Sequence, residues 1–175
     1  METLTTTSEY IELNNMELEK INMKSIKNRI KNECIELYKK YHNVLISYEN
    51  NKVFLTAVEF FESGKKQRLY NFVLTSDYPF KPPEIYVNKQ PYSNILQMKG
   101  EYEKLMVKKI KGQECLCCYS INCCTNWSPA IRLHRIIDEI RDIIKFKRDI
   151  VNLLLAEKIK KRYNLPYAYI ESYLL

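Results

Sequence analysis

Six cysteines stand in the chain, and five of them, Cys115, Cys117, Cys118, Cys123 and Cys124, fall within ten residues. A thiolate attacks carbonyls, binds soft metals and forms disulfides, so the cluster admits three chemistries. A structural zinc site would draw four of these thiols into a tetrahedron at about 2.3 Å from the ion. The familiar spacing for that is a pair of C-x-x-C knuckles, whereas these cysteines are adjacent or one residue apart. Adjacent side chains reach one metal only on a distorted backbone. His134 reads as a helix-surface residue rather than a further ligand, so no metal is assigned. Disulfide staples belong to secreted chains. The stretch Met1 to Tyr10 is threonine-rich and acidic, without the basic and apolar regions of a signal peptide. No apolar run approaches the roughly 20 residues of a membrane span. The expectation is a cytosolic or nuclear protein with free thiols, at least one of them reactive.

The elements that must position such a thiol are legible along the chain. Its 175 residues are 46% hydrophobic with three glycines, enough for one domain with a packed core. Residues 1–18 are polar and read as a flexible tail, with a single domain over 19–175. From Met23 a helix is predicted, because Met23, Ile26, Ile30, Cys34, Leu37 and Tyr41 recur every three or four residues. That spacing makes Cys34 a small buried apolar residue. Strands follow at Val44 to Tyr48 and Lys52 to Phe61, turning at Asn50-Asn51, a pair that tolerates positive φ. A turn at Ser63-Gly64-Lys65 leads into Arg68 to Thr75, and Glu84 to Val87 makes a fourth strand. Beyond Trp127, Ser128 suits an N-cap and Pro129 the first helical position. Leu133, Ile136, Ile137, Ile140, Ile143 and Ile144 then form a buried stripe, with Asp138, Arg141 and Asp142 facing out. Helical composition continues through Leu153 and Lys161, and Pro166 ends or restarts it. The order gives an α+β fold: a helix, a four-stranded antiparallel meander, a cysteine loop and C-terminal helices. The net charge of +7 is spread over many segments rather than gathered into one tract. It suits docking onto acidic protein better than nucleic-acid binding.

Three further stretches are distinctive. Tyr78-Pro79-Phe80-Lys81-Pro82-Pro83 follows the third strand, and its three prolines impose a rigid extended crossing. Gly112-Gln113-Glu114-Cys115-Leu116 comes next, then Trp127-Ser128-Pro129-Ala130. In that order they resemble the ubiquitin-conjugating family. There, Y-P-F-K-P-P follows the third strand, G-x-x-C-L carries the active cysteine and W-S-P-A opens the next helix. The resemblance covers about Lys27 to Ile144 and includes Arg29-Ile30-Lys31-Asn32-Glu33 in the first helix. The chain also departs from the pattern. The family's H-P-N becomes Tyr92-Ser93-Asn94. Spacings of 21 positions from Asn94 to Cys115 and 12 from Cys115 to Trp127 both exceed the family's. From about residue 145 the helices diverge.

The resemblance implies a fold and an activity: an acyl carrier that takes ubiquitin, or a ubiquitin-like protein, from an activating enzyme and delivers it to a lysine with a ligase. Cys115 would hold the thioester, with Cys117 and Cys118 as rivals should the insertions shift the register. Asn94 would donate its amide N–H to the oxyanion. Phe80, Lys81, Pro129 and Ala130 would meet the ligase, and Lys27, Arg29 and Lys31 the activating enzyme. Trp127 would pack behind the cysteine loop. No cofactor is implied, since ATP is spent by the activating enzyme. The lysines inserted before Cys115 (Lys99, Lys104, Lys108, Lys109, Lys111) would receive the modifier or steer an acidic partner. An inactive scaffold that binds ubiquitin is the rival within the family, and a zinc protein the rival outside it. The abundance of Asn, Lys and Ile suits an AT-rich genome, such as that of a large DNA virus or a parasite; a viral protein would work in the host cell.

Overall fold

Asn50 and Asn51 both adopt left-handed φ, 50° and 59°, which is the geometry a two-residue hairpin turn demands. They join β1 (Asn43–Glu49) to β2 (Lys52–Phe60), paired from Asn43↔Val58 to Glu49↔Lys52. The computed structural model describes residues 19, 24–41, 43–61, 67–97, 100, 102–105 and 115–163. The tail over 1–18, Met23, the Ser63-Gly64-Lys65 turn, Pro166 and most of the lysine-rich insertion lie outside them. β3 (Gln67–Leu74) runs antiparallel to β2, and β4 (Glu84–Val87) antiparallel to β3. A fifth strand, β5 (Gln90–Pro91), extends the predicted four-stranded meander to the order β1-β2-β3-β4-β5. Its hairpin turns on a second left-handed pair, Asn88 (φ 50°) and Lys89 (φ 67°). Lysine seldom adopts that conformation, so composition did not signal the turn. Asn88 offsets the strain by continuing the ladder: its Oδ1 accepts from Leu69 N (2.9 Å) and its N donates to Leu69 O (2.9 Å).

Two helices complete the core. On α1 (Lys24–Tyr41), Ile30, Cys34, Leu37 and Tyr41 are buried, as their spacing requires. Burial pushes the Cys34 thiol up to about 12, which keeps it protonated and inert. They meet Val44, Leu55, Ala57, Tyr70, Phe72 and Ile85 from one face of the sheet. Short helical segments follow at α2 (Tyr92–Leu96) and α3 (Leu116–Tyr119), then α4 (Leu133–Tyr163). Over residues 133–163, α4 is one unbroken helix of 31 residues. No proline or glycine interrupts residues 133–163, so nothing in the sequence stops it. Leu133, Ile136, Ile137, Ile140 and Ile143 are buried, Ile144 partly.

Two details of α4 differ from the sequence reading. The helix starts at Leu133, not at Pro129, because residues 128–131 form a turn closed by Ile131 N to Ser128 O (2.9 Å). The cap comes from another element: Glu33 Oε2 accepts from Leu133 N at 2.9 Å. Arg141 does not face out. It pairs with Glu59 and lies over the Tyr41 ring, 5.1 Å from its centroid. No helix among the described residues is long and apolar enough to cross a membrane.

Candidate functional site

Cys115 stands half-exposed at the head of α3, whose Leu116 is buried. One apolar side chain thus roots the turn in the core while its sulfurs stay near the surface. The structure joins Cys115 and Cys117 in a disulfide, which corrects the expectation of free thiols there. Their Cα atoms are 5.4 Å apart, well within bridging range. Cys118 is a free, exposed thiol whose Sγ lies 3.2 Å from that of Cys115 and 4.0 Å from that of Cys117. Its backbone N–H also points at Cys115 Sγ, at 3.4 Å.

Cys123 and Cys124 stand apart from this cluster. Among the described residues only Cys115, Cys117 and Cys118 form a group able to converge on one metal ion. Three thiols fall short of the closed four-ligand shell of a structural zinc site. Cys123 instead contacts Thr125 Oγ1 (3.2 Å), and that hydrogen bond holds its thiol below the usual range. His134 belongs to neither group; it is half-buried on α4, with Nδ1 buried and unpartnered.

What holds the cysteine turn is a carboxylate the sequence reading missed. Glu139 on α4 accepts from Ser120 Oγ (2.6 Å), Ile121 N (2.7 Å) and Tyr92 OH (2.6 Å). The first two fix the end of α3, and the third fixes the start of α2. Asn126 adds a second clasp, donating to Cys118 O (2.7 Å) and Ser120 O (3.0 Å). Asn94 sits exposed on α2, which packs beside α3. A cleft of about 460 Å³ runs along the junction, lined among others by Tyr92, Ser93, Leu96, Cys117 and Asn122. The far end of α2 is tied to α4 as well: Lys147 Nζ donates to Ile95 O (2.6 Å) and Gln97 O (2.7 Å).

A second group forms around Glu33, which is fully buried. Its Oε1 pairs with Arg29 (2.8 Å) and Arg132 (3.4 Å) and accepts from Tyr78 OH (3.1 Å). Arg29 is turned inward. It also donates to Ile131 O (2.6 Å) and lies over the Tyr78 ring, so its guanidinium is engaged within the fold. Of the residues expected beside it, Lys31 is exposed and Lys27 pairs with Glu19 (2.7 Å). Trp127 donates from Nε1 to Pro79 O (2.8 Å) and packs against Tyr78, ring centroids 6.2 Å apart. The stretches 29–33, 78–80 and 127–133, joined by bonds that span up to 102 positions, thereby meet in one network. On the outside of it Phe80 is 79% exposed, and Pro129 and Ala130 are exposed. Lys81 is exposed and pairs with Asp77 (2.7 Å), which raises its ammonium above the usual value.

The signal for Glu33 was present: it falls three residues after Ile30 and four before Leu37, on the buried face of α1. Glu139 gave a weaker one, being next to Ile140 on a helix already rich in charge. No family model, curated protein or solved structure matches the chain.

Proposed function

We propose that the chain is a ubiquitin-conjugating enzyme, which carries ubiquitin or a ubiquitin-like protein as a thioester on Cys115. The observation that carries this reading is the convergence of the motif residues. Arg29 and Glu33, Tyr78 and Pro79, and Trp127 to Leu133 are distant in sequence yet bonded to one another. A chance likeness of short motifs gives no reason for the three to share one network. The α+β order, with the meander between α1 and the cysteine turn, agrees with the fold that the likeness implies.

In this reading the Cys115 thiolate attacks the carbonyl carbon of the modifier's thioester on the activating enzyme. A new S–C bond forms and the activating enzyme's thiolate leaves. An acceptor lysine amine then attacks the same carbon and expels the Cys115 thiolate, losing a proton. Asn94 on α2 supplies, in this reading, an amide N–H to the oxyanion, a donor whose loss costs about a hundred- to a thousandfold in rate. Tyr92 stands where the family's pattern has histidine and serves the site through its bond to Glu139. Phe80, Lys81, Pro129 and Ala130 offer the ligase an aromatic anchor and a small rigid shelf. Lys31 and Lys27 offer the activating enzyme a basic face, with Arg29 holding the helix behind them. The reaction takes place in the cytosol or nucleus and needs no cofactor on this chain.

A charging assay tests the reading, using reduced protein with activating enzyme, ATP and ubiquitin on reducing and non-reducing gels. A reductant-sensitive adduct is expected, which Cys115→Ser turns into a stable ester or abolishes and Cys117→Ala preserves. Absence of any adduct from fully reduced protein with several activating enzymes would leave the fold as a scaffold.

A further inference from the structure

The sulfur that the carrier reading requires as a free thiolate is bonded to Cys117, and a third thiol touches the bond. Cys118 Sγ lies 3.2 Å from Cys115 Sγ and 4.0 Å from Cys117 Sγ. Cys117 and Cys118 are exposed while Cys115 is only half so. A disulfide is exchanged by thiolate attack on one of its sulfurs, at a rate set largely by access and by the leaving thiolate. Here the accessible sulfur is Cys117, and the leaving group is Cys115. The Cys118 N–H aimed at Cys115 Sγ stabilises that thiolate as it leaves.

We propose that Cys115, Cys117 and Cys118 form a thiol–disulfide exchange site, whose substrates are low-molecular-weight thiols and their disulfides, and that this exchange opens and closes Cys115 to loading. The second half of the statement rests on the carrier reading; the first does not. A small thiolate RS⁻ attacks Cys117 Sγ, forming an S–S bond to R as the Cys115–Cys117 bond breaks. A second RS⁻ removes R as RSSR and frees the Cys117 thiolate. Two electrons pass from two RSH to the protein disulfide, and their two protons end on Cys115 and Cys117. The reverse steps, driven by RSSR, close the site. Cys118 provides an internal branch without net oxidation: its thiolate attacks Cys115 Sγ, expels Cys117 as a thiolate and leaves a Cys115–Cys118 bridge. That bridge has the C-x-x-C spacing of three residues, whereas the first spans two. Cys123 and Cys124 take no part, being outside the cluster.

The test equilibrates the full chain in glutathione buffers from reducing to oxidising. Samples are then acid-quenched, alkylated with a mass-tagged maleimide and mapped by peptide mass. Charging is measured in parallel after the buffer is removed. Expected is a step of two thiols, mapped to Cys115 with Cys117 or Cys118, and charging at least about tenfold lower for the oxidised protein. Cys117→Ser retains the two-thiol step through Cys118, and in the double variant Cys117→Ser/Cys118→Ser that step is replaced by a single glutathione adduct on Cys115. The proposal is overturned if Cys115 alkylates fully in oxidising buffer, or if the bridges map to Cys123 or Cys124. It is also overturned if the reduced thiols react only after a chelator is added, which would assign the cluster to a soft metal. A mapped two-thiol step in a protein that never charges when reduced keeps the exchange site and removes the carrier.

Discussion

Glu33 and Glu139 do the same mechanical job with different electrostatics. Each is a helix carboxylate that accepts from a tyrosine hydroxyl and a backbone N–H, and each ties down a loop that carries candidate site residues. Glu33 is fully buried and has two guanidinium groups beside it. Glu139 is half-buried, and the bonds described for it come from neutral donors: two hydroxyls and one amide. A buried charge with cations in place is costly to disturb, because removing one partner strands the others. A carboxylate among neutral donors gives less when it is lost. The Phe80–Ala130 shelf is therefore fixed with the core, while the cysteine turn hangs on a weaker clasp, which suits a region whose sulfurs must change partners.

The largest effect expected is from Glu33→Ala. It strands Arg29 in the interior and uncaps α4, for a loss of about 3–5 kcal/mol by urea unfolding. A loss below about 1 kcal/mol would dissolve the contrast between the two clasps. Glu139→Ala is expected to cost about 1–3 kcal/mol and to raise the alkylation rate at Cys118, leaving the Phe80 shelf in place. Equal protection of Cys118 in variant and parent would show that Asn126 alone holds the turn.

Alkaline titration probes both clasps at once. Burial first, then the neighbouring carboxylates, raises the Tyr78 and Tyr92 hydroxyls above the ordinary 10.0 of an exposed tyrosine. Burial likewise holds Tyr70 at about 12. In the unfolded chain these groups ionise near 10.0 and release protons that the folded chain retains. Stability is therefore full below that pH and falls above it, by about 1.4 kcal/mol per pH unit per group until the folded hydroxyl ionises. Urea midpoints from pH 8 to 11 should show a plateau and then a fall, with a shallower fall in Tyr78→Phe and Tyr92→Phe. At neutral pH, Tyr92→Phe should lose about 1 kcal/mol. Smallest of all, Phe80→Ala should leave stability within about 0.5 kcal/mol. Yet on the carrier reading it abolishes the acceleration of discharge by a ligase, and a normal ligase response would remove Phe80 from that surface.

Strand and helix placement was legible because it rests on local rules: period-two burial in β2 and β3, period-3.6 burial in α1, and the Asn50-Asn51 turn. The start of α4 was not, because Ser128 and Pro129 make a good local signal that a tertiary cap from Glu33 overrides. Arg141 was misread for a similar reason, since its partner Glu59 lies on another element. The crowding of Cys115, Cys117 and Cys118 was legible in their spacing, but their state was not. Spacing shows which sulfurs are near one another, and only the folded turn shows which pair is joined and which thiol waits beside them.

The position of Asn94 follows from the length of α4. Helix α2 is strapped at its start to Glu139 and at its end to Lys147, two points on one rod eight residues apart, or about 12 Å at 1.5 Å per residue. Between the straps Ile140 and Ile143 are buried in the core. The asparagine is thus surveyed from two fixed stations, and its bearing is read from the core rather than from the loop that carries it. A bend in α4 between those stations would swing Asn94 without touching it.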